Sequence, residues 1–259
     1  MWVDAHCHLD DEQFASDLDA VLARAQANNV GALITAGTDV ASSRAVVALA
    51  ERYPGVYAIV GIHPHHAETF NTETFARIRE LAMHPRVVGI GETGLDFHYA
   101  DGAPCELQER VFRAHLALAA ELGKPVVIHQ RDAHAALMRI LREHAFKPRG
   151  ILHSFSGDVA MAQEAIALGY TLSFSGTVTF KNAPRVRAVA AAVPCEHIVI
   201  ETDAPYLSPL RGRRNEPAYL VHIATKIAEL QQTDVATIAR VTTKNCQALF
   251  GLSSIGEGL

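Results

Sequence analysis

Cysteine is scarce in this chain. Cys7, Cys105, Cys195 and Cys246 are the only four, and no two form a CxxC pair. That spacing excludes a zinc ribbon and a thioredoxin-like motif, and scattered thiols suit a reducing compartment. Positive charge is also short: 23 Lys and Arg stand against 28 Asp and Glu, a net charge of −5. A generally basic nucleic-acid coat is therefore excluded. No run approaches the roughly 18–20 apolar residues of a membrane span. The first residues show no basic stretch followed by an apolar one, so no secretory leader is expected and a cytoplasmic location is. No low-complexity linker divides the chain. Its 259 residues are read as one domain, 1–259, large enough for a core without disulfides. A monomer is expected.

Histidine, by contrast, occurs 14 times. A chain rich in His, poor in Cys and slightly acidic points to a metal enzyme with nitrogen and oxygen ligands. The other proportions, 49% hydrophobic and 20% charged, are those of an ordinary globular protein.

Short apolar runs recur, each followed by a helical pattern. The runs are Trp2–His8, Val30–Ala36, Val56–His63, Val87–Glu92, Val126–His129, Ile151–His153, Tyr170–Ser175 and Ile198–Asp203. They are rich in Val and Ile and bounded by polar residues, Gly or Pro, as strands buried on both faces are. Between them, spacings such as Leu107, Val111, Leu118 and Leu122 predict amphipathic helices, with Pro217 in a first helical turn. Asp234–Phe250 reads as one further helix, stopped by Gly251. Eight strand–helix units in about 250 residues predict a (β/α)8 TIM barrel with an extra C-terminal helix. A doubly wound open sheet is the alternative.

In such barrels the chemistry sits at the carboxyl ends of the strands. Six of the runs end in metal-ligand residue types: His6-Cys7-His8, His63-Pro64-His65, Glu92, His129, His153 and Asp203. His6 and His8, two apart on a strand, share a face, and Cys7 points the other way toward the helices. Asp4 shares the parity of the histidine pair and is expected to orient one of them. Glu201 shares that of Asp203 but lies deeper, as a supporting residue.

Together these residues resemble the TatD-related deoxyribonucleases. The matching segments are Asp4-Ala5-His6-Cys7-His8-Leu9-Asp10, Gly61-Ile62-His63-Pro64-His65, Gly89-Ile90-Gly91-Glu92-Thr93-Gly94-Leu95-Asp96 and Pro125-Val126-Val127-Ile128-His129. His153-Ser154-Phe155-Ser156-Gly157, Glu201-Thr202-Asp203-Ala204-Pro205-Tyr206-Leu207 and Arg214-Asn215-Glu216-Pro217 complete the set, in the family's order from end to end.

The resemblance implies a hydrolase with two divalent ions per subunit, Mg2+, Mn2+ or Zn2+. His6, His8 and Asp203 would hold one ion and His129 and His153 the other, with Glu92 bridging. No proposed strand end carries the Lys that serves as the bridge elsewhere among such barrels. The expected reaction is attack of metal-activated water on the phosphodiester bonds of DNA, removing nucleotides from single-stranded ends, with Glu92 and Asp203 as the catalytic pair. Asp203 would also relay the proton. Substrate contacts are expected from His63, His65, Tyr206 and Lys181, and from Arg214 and Glu216 in the loop after the eighth strand. Asn215 is expected to cap the next helix and Asp96 to orient a ligand. His66, His84, His98, His115, His134, His144, His197 and His222 are expected to be solvated or lightly packed. An ester or amide hydrolase on the same two-metal site is the alternative, since a barrel's metal site sets the nucleophile and not the substrate.

Overall fold

The computed structural model describes residues 1–99, 101–144 and 150–252. The expected domain limits, 1–259, take in residues 253–259, which lie outside the described residues. Eight parallel strands follow one another around a single sheet in sequence order. They are β1 (Trp2–Cys7), β2 (Val30–Ala36), β3 (Val56–Val60), β4 (Val87–Asp96), β5 (Val126–Arg131), β6 (Gly150–Leu152), β7 (Tyr170–Phe174) and β8 (Ile198–Ile200). A doubly wound sheet would reverse its strand order at a switch point; this one does not.

The seam between β1 and β8 is closed just beyond the end of β8. The Asp203 N–H donates to the His6 carbonyl at 2.9 Å and the His8 N–H to the Ala204 carbonyl at 2.7 Å. The buried Asp4 carboxylate accepts from the Thr202 N–H at 2.8 Å and from its hydroxyl at 2.5 Å. Asp4 was expected beside the histidines, and a bulge accounts for the difference. Asp4 pairs with Leu33 and Cys7 with Thr35, so three steps on β1 face two on β2. The extra residue breaks the parity between Asp4 and His6.

Helices α1 (Leu18–Ala27), α2 (Val40–Arg52), α3 (Thr72–Ala82), α4 (Cys105–Leu122), α5 (His134–Glu143), α6 (Val159–Ala167), α7 (Pro184–Ala192) and α8 (Leu220–Leu230) cover the strands. Their limits are set by local chemistry. Asp39 with Ser42 and Asn71 with Thr74 form capping boxes, Asp158 caps α6, and left-handed Gly123 ends α4. Pro217 begins a short 3-10 turn, Pro217–Tyr219, ahead of α8 rather than α8 itself. The extra helix, α9 (Val235–Phe250), is capped by Asp234 and ends at left-handed Gly251.

Two apolar cores result. One lies between sheet and helices and includes Cys7, which therefore faces outward as its parity predicts. The other joins strand residues Val3, Ala5, Ile34, Ile59, Val127, Ile151 and Val199 to Cys246, Phe250 and Leu252. Phe250 reaches Gly89 near the start of β4, where a Cβ on the glycine would stand 3.3 Å from the Phe250 ring. The C-terminal helix thus plugs the amino ends of the strands and leaves their carboxyl ends open.

His115 on α4 departs from its expected setting, because it is fully buried. Its Nδ1–H donates to the Val111 carbonyl at 2.8 Å, and Nε2 accepts the Ile62 N–H at 3.0 Å. Both nitrogens are used in the neutral form, and burial holds the pKa down at about 4. The unfolded chain therefore takes up this proton first, so the contribution is whole above pH 6.5 and is lost as pH falls toward 4. The loss approaches about 3 kcal/mol. We expect urea denaturation to show the stability gap between wild type and His115→Gln narrowing by that order between pH 7 and pH 4.5.

Candidate metal centre

Glu92 stands at the centre of the open end, and its two carboxylate oxygens face different partners. Oε2 lies 3.3 Å from His6 Nε2 and 3.7 Å from His8 Nε2. Oε1 lies 2.8 Å from His129 Nδ1, 3.5 Å from His63 Nε2 and 3.8 Å from His153 Nε2. Asp203 Oδ1 completes the first side, 3.4 Å from His8 Nε2 and 3.8 Å from His6 Nε2, and is 3.7 Å from His153 Nε2. All six expected ligands therefore converge.

The backbone explains the convergence. Gly91 and Gly94 flank Glu92 with φ of +140° and +144°, and a Cβ on either would stand 2.4 Å from the Val127 carbonyl oxygen or 2.0 Å from that of His129. Only glycine lets β4 approach β5 so closely, and that approach brings Glu92 to His129. Asp203 adopts φ of +57°, uncommon for a residue with a Cβ, as the chain turns sharply after β8.

The outer ring nitrogens decide what the inner ones offer. His8 Nδ1 lies 3.3 Å from the Ala36 carbonyl, which can only accept, so neutral His8 carries its proton there and turns a lone pair inward. His153 Nδ1 lies 2.9 Å from Glu201 Oε1, with the same consequence. Lone pairs of imidazoles and carboxylates thus meet in a buried space that only a cation can satisfy, so the residues fit divalent metal ions. Protons compete for those lone pairs. Burial opposes charge on His8 and His153, but Asp203 and Glu92, with Glu201 for His153, lift their pKa values to about 9 and about 10. Glu92 is held well below the usual carboxylate range by His63, His6 and His153 against its own burial.

His63 behaves in the opposite way. It lies with Glu92 and His129 in a group of converging ligand atoms. Its Nδ1, however, accepts the His65 N–H at 3.1 Å, so a neutral His63 carries its proton on Nε2. Burial keeps it neutral, with a pKa lowered to about 4. In that form it points a donor inward, toward Glu92 Oε1 at 3.5 Å. Asp96, at the end of β4, gathers His65 Nε2 at 2.8 Å and His129 Nε2 at 3.0 Å on one oxygen and the His98 N–H at 3.0 Å on the other. The His65 ring thus turns Nε2 to Asp96.

A model of the TatD related DNase family matches residues 3–251. The chain belongs to the TatD family of metal-dependent hydrolases. It is 40% identical over 256 residues to the metal-dependent hydrolase YabD of Bacillus subtilis, covering 98% of this chain and all of that one. It is 39% identical over 263 residues to the 3'-5' ssDNA/RNA exonuclease TatD of Musicola paradisiaca, covering 98% and 99%. The crystal structure of the TatD homologue YJJV from Escherichia coli superposes with a TM-score of 0.92 at 31% identity, over 97% of this chain and 98% of that one.

The remaining expected contacts of this TatD family chain are placed unevenly around the mouth. His63, His65 and Tyr206 line a cleft of about 470 Å3 over the ligand cluster. Arg214 and Glu216 do not line it. Arg214 donates to both Asp17 oxygens at 2.9 and 2.7 Å and lies over Phe14, while Glu216 accepts from Arg24 at 2.6–3.0 Å. Opposite charges across the start of the chain capture both residues in a structural clamp. Lys181 is exposed outside the cleft. Asn215 caps no helix. It is buried, and its amide donates to the Thr202 and Tyr206 carbonyls at 2.7 and 2.6 Å, lacing the turn that carries Asp203. Tyr99 and Arg131 also line the cleft, and no motif in the sequence announces them.

Two outcomes follow from this geometry. Glu201→Gln should weaken metal binding about 10- to 100-fold, measured by chelator competition, with the far-UV circular dichroism of the metal-free protein retained. Arg214→Ala should cost about 1–2 kcal/mol in denaturant unfolding, because it breaks the clamp, while the KM for substrate stays within about twofold of wild type.

Proposed function

We propose that this hydrolase is a two-metal exonuclease acting on single-stranded DNA ends. One observation carries the reading: Glu92 turns one oxygen to His6 and His8 and the other to His129 and His153. That division supports one cation on His6, His8 and Asp203, a second on His129 and His153, and Glu92 between them. Such ions, when bound, acidify water toward neutral pH and offset charge on phosphate oxygens. The mixed imidazole and carboxylate set suits Zn2+ or Mn2+, and Mg2+ if substrate oxygens complete its shell.

The side chains do the rest. Neighbouring imidazoles hold Asp203 below its ordinary pKa against its burial, so it is a carboxylate at neutral pH and takes the proton from the attacking water. His63 Nε2–H donates to a phosphate oxygen. His65 and Asp96 keep His129 in place. The chain's net charge of −5 does not oppose a polyanionic substrate, since two divalent ions outweigh Glu92 and Asp203 at the mouth. The name of the Musicola relative supports a nuclease and extends the reading to 3'-5' polarity and to RNA.

Metal-loaded protein should shorten 5'-labelled single-stranded DNA into a ladder and release the label of 3'-labelled DNA as a mononucleotide, and EDTA should stop both. Asp203→Asn should lower kcat at least about 100-fold, with metal content measured in parallel. Turnover only on ester or amide panels would overturn the phosphodiester reading. Silence on every substrate at full metal content would leave a binding protein.

A further inference from the structure

Four large apolar side chains are markedly exposed among the described residues: Met1, Met83, Tyr99 and Tyr206. Met1 begins the chain and Met83 caps the end of α3. The two tyrosines, each 49% exposed, line the same cleft. Single exposed apolar residues are ordinary on a protein surface; two aromatics on one catalytic cleft are not.

Tyr99 is also held rather than free. Arg131 Nη1 donates to its hydroxyl at 3.2 Å, and the guanidinium lies 5.2 Å from the ring centre. His65 and His98 meet the ring edge-on at 5.4 and 5.0 Å. These two are anchored in turn, His65 on Asp96 at 2.8 Å and His98 on Asp132 at 2.7 Å. A half-exposed aromatic with so few free rotations is a preorganised contact, one whose ordering cost was met on folding. Tyr206 sits on the His8 side of the cleft, 5.8 Å from that ring, with its hydroxyl on Asp11 at 2.5 Å.

We propose that Tyr99, backed by Arg131, is the platform on which an unpaired base of the substrate stacks next to the phosphate being cut; this rests on the nuclease reading above. The chemistry matches a nucleotide in both parts. A base has a π-face for the ring, and the phosphate that follows it meets Arg131 and the cation centre. Stacking ignores base identity, so the contact tolerates any sequence. It also needs a base that is not already stacked in a duplex, which makes Tyr99 a determinant of selectivity for single-stranded ends.

The test crosses the enzyme with the substrate. Single-stranded oligonucleotides carry an abasic residue at each of the last three positions in turn, and KM and kcat are measured for wild type, Tyr99→Ala and Tyr99→Trp. At one position, loss of the base should raise the wild-type KM about 10- to 100-fold. Tyr99→Ala should raise the KM for the intact strand by a similar factor, and the two losses should not add. Tyr99→Trp should recover most of the affinity. As a readout apart from turnover, 2-aminopurine at that position, in a phosphorothioate strand, should be quenched by wild type and Tyr99→Trp but not by Tyr99→Ala. An unchanged KM in Tyr99→Ala, or an equal rise for intact and abasic strands, overturns the platform while leaving the nuclease reading intact. Failure of the wild type to shorten any strand overturns both.

Discussion

The open end of this barrel is governed by an accumulation of lone pairs. Imidazoles and carboxylates are brought within 2.8–3.8 Å of one another in a largely buried space, where water screens them little. No arrangement of such groups is comfortable alone. A cation must join them, either as protons on the imidazoles or as metal ions, and the surrounding structure is built to maintain that demand. Ala36 and Glu201 take up the outer sides of His8 and His153, and Asp96 that of His129. Gly91 and Gly94 remove the side chains that would keep β4 from β5.

The layers beneath the cluster serve the same end. The apolar plug from α9 closes the bottom of the barrel, so hydrophobic burial stabilises one end while the other keeps its polar groups. The loop after β8 is fixed by buried Asn215 and by the alternating charges of Arg214, Asp17, Arg24 and Glu216. A loop with a residue in the left-handed region needs such bracing, because even Asp adopts that region less readily than glycine.

Most of the architecture was legible because period and position carry it. Eight apolar runs gave the strands, and polar residues at their ends gave the side chains that converge around Glu92. What escaped was set by contacts distant in sequence. The β1 bulge moved Asp4 to the seam, which no parity argument on one strand can foresee. Arg214 and Glu216 looked like substrate contacts because they follow β8 among other basic residues, yet their partners Asp17 and Arg24 lie some 190 residues earlier. His115, expected to be solvated or lightly packed, occupies the inward stripe of α4 and satisfies Ile62. The roles of His63 and His65 depend on which ring nitrogen carries the proton, and only their hydrogen-bond partners decide that.

The closure between β1 and β8 has a consequence for biosynthesis. His6 and His8 leave the ribosome some 195 residues ahead of Asp203, and their side of the cluster lacks it until the eighth strand has emerged and Thr202 has met Asp4. Assembly of the cluster is thus among the most non-local events available to this chain. A nascent chain of this design lacks the complete cluster through most of its synthesis, and the cluster closes only when the two ends of the barrel have found each other.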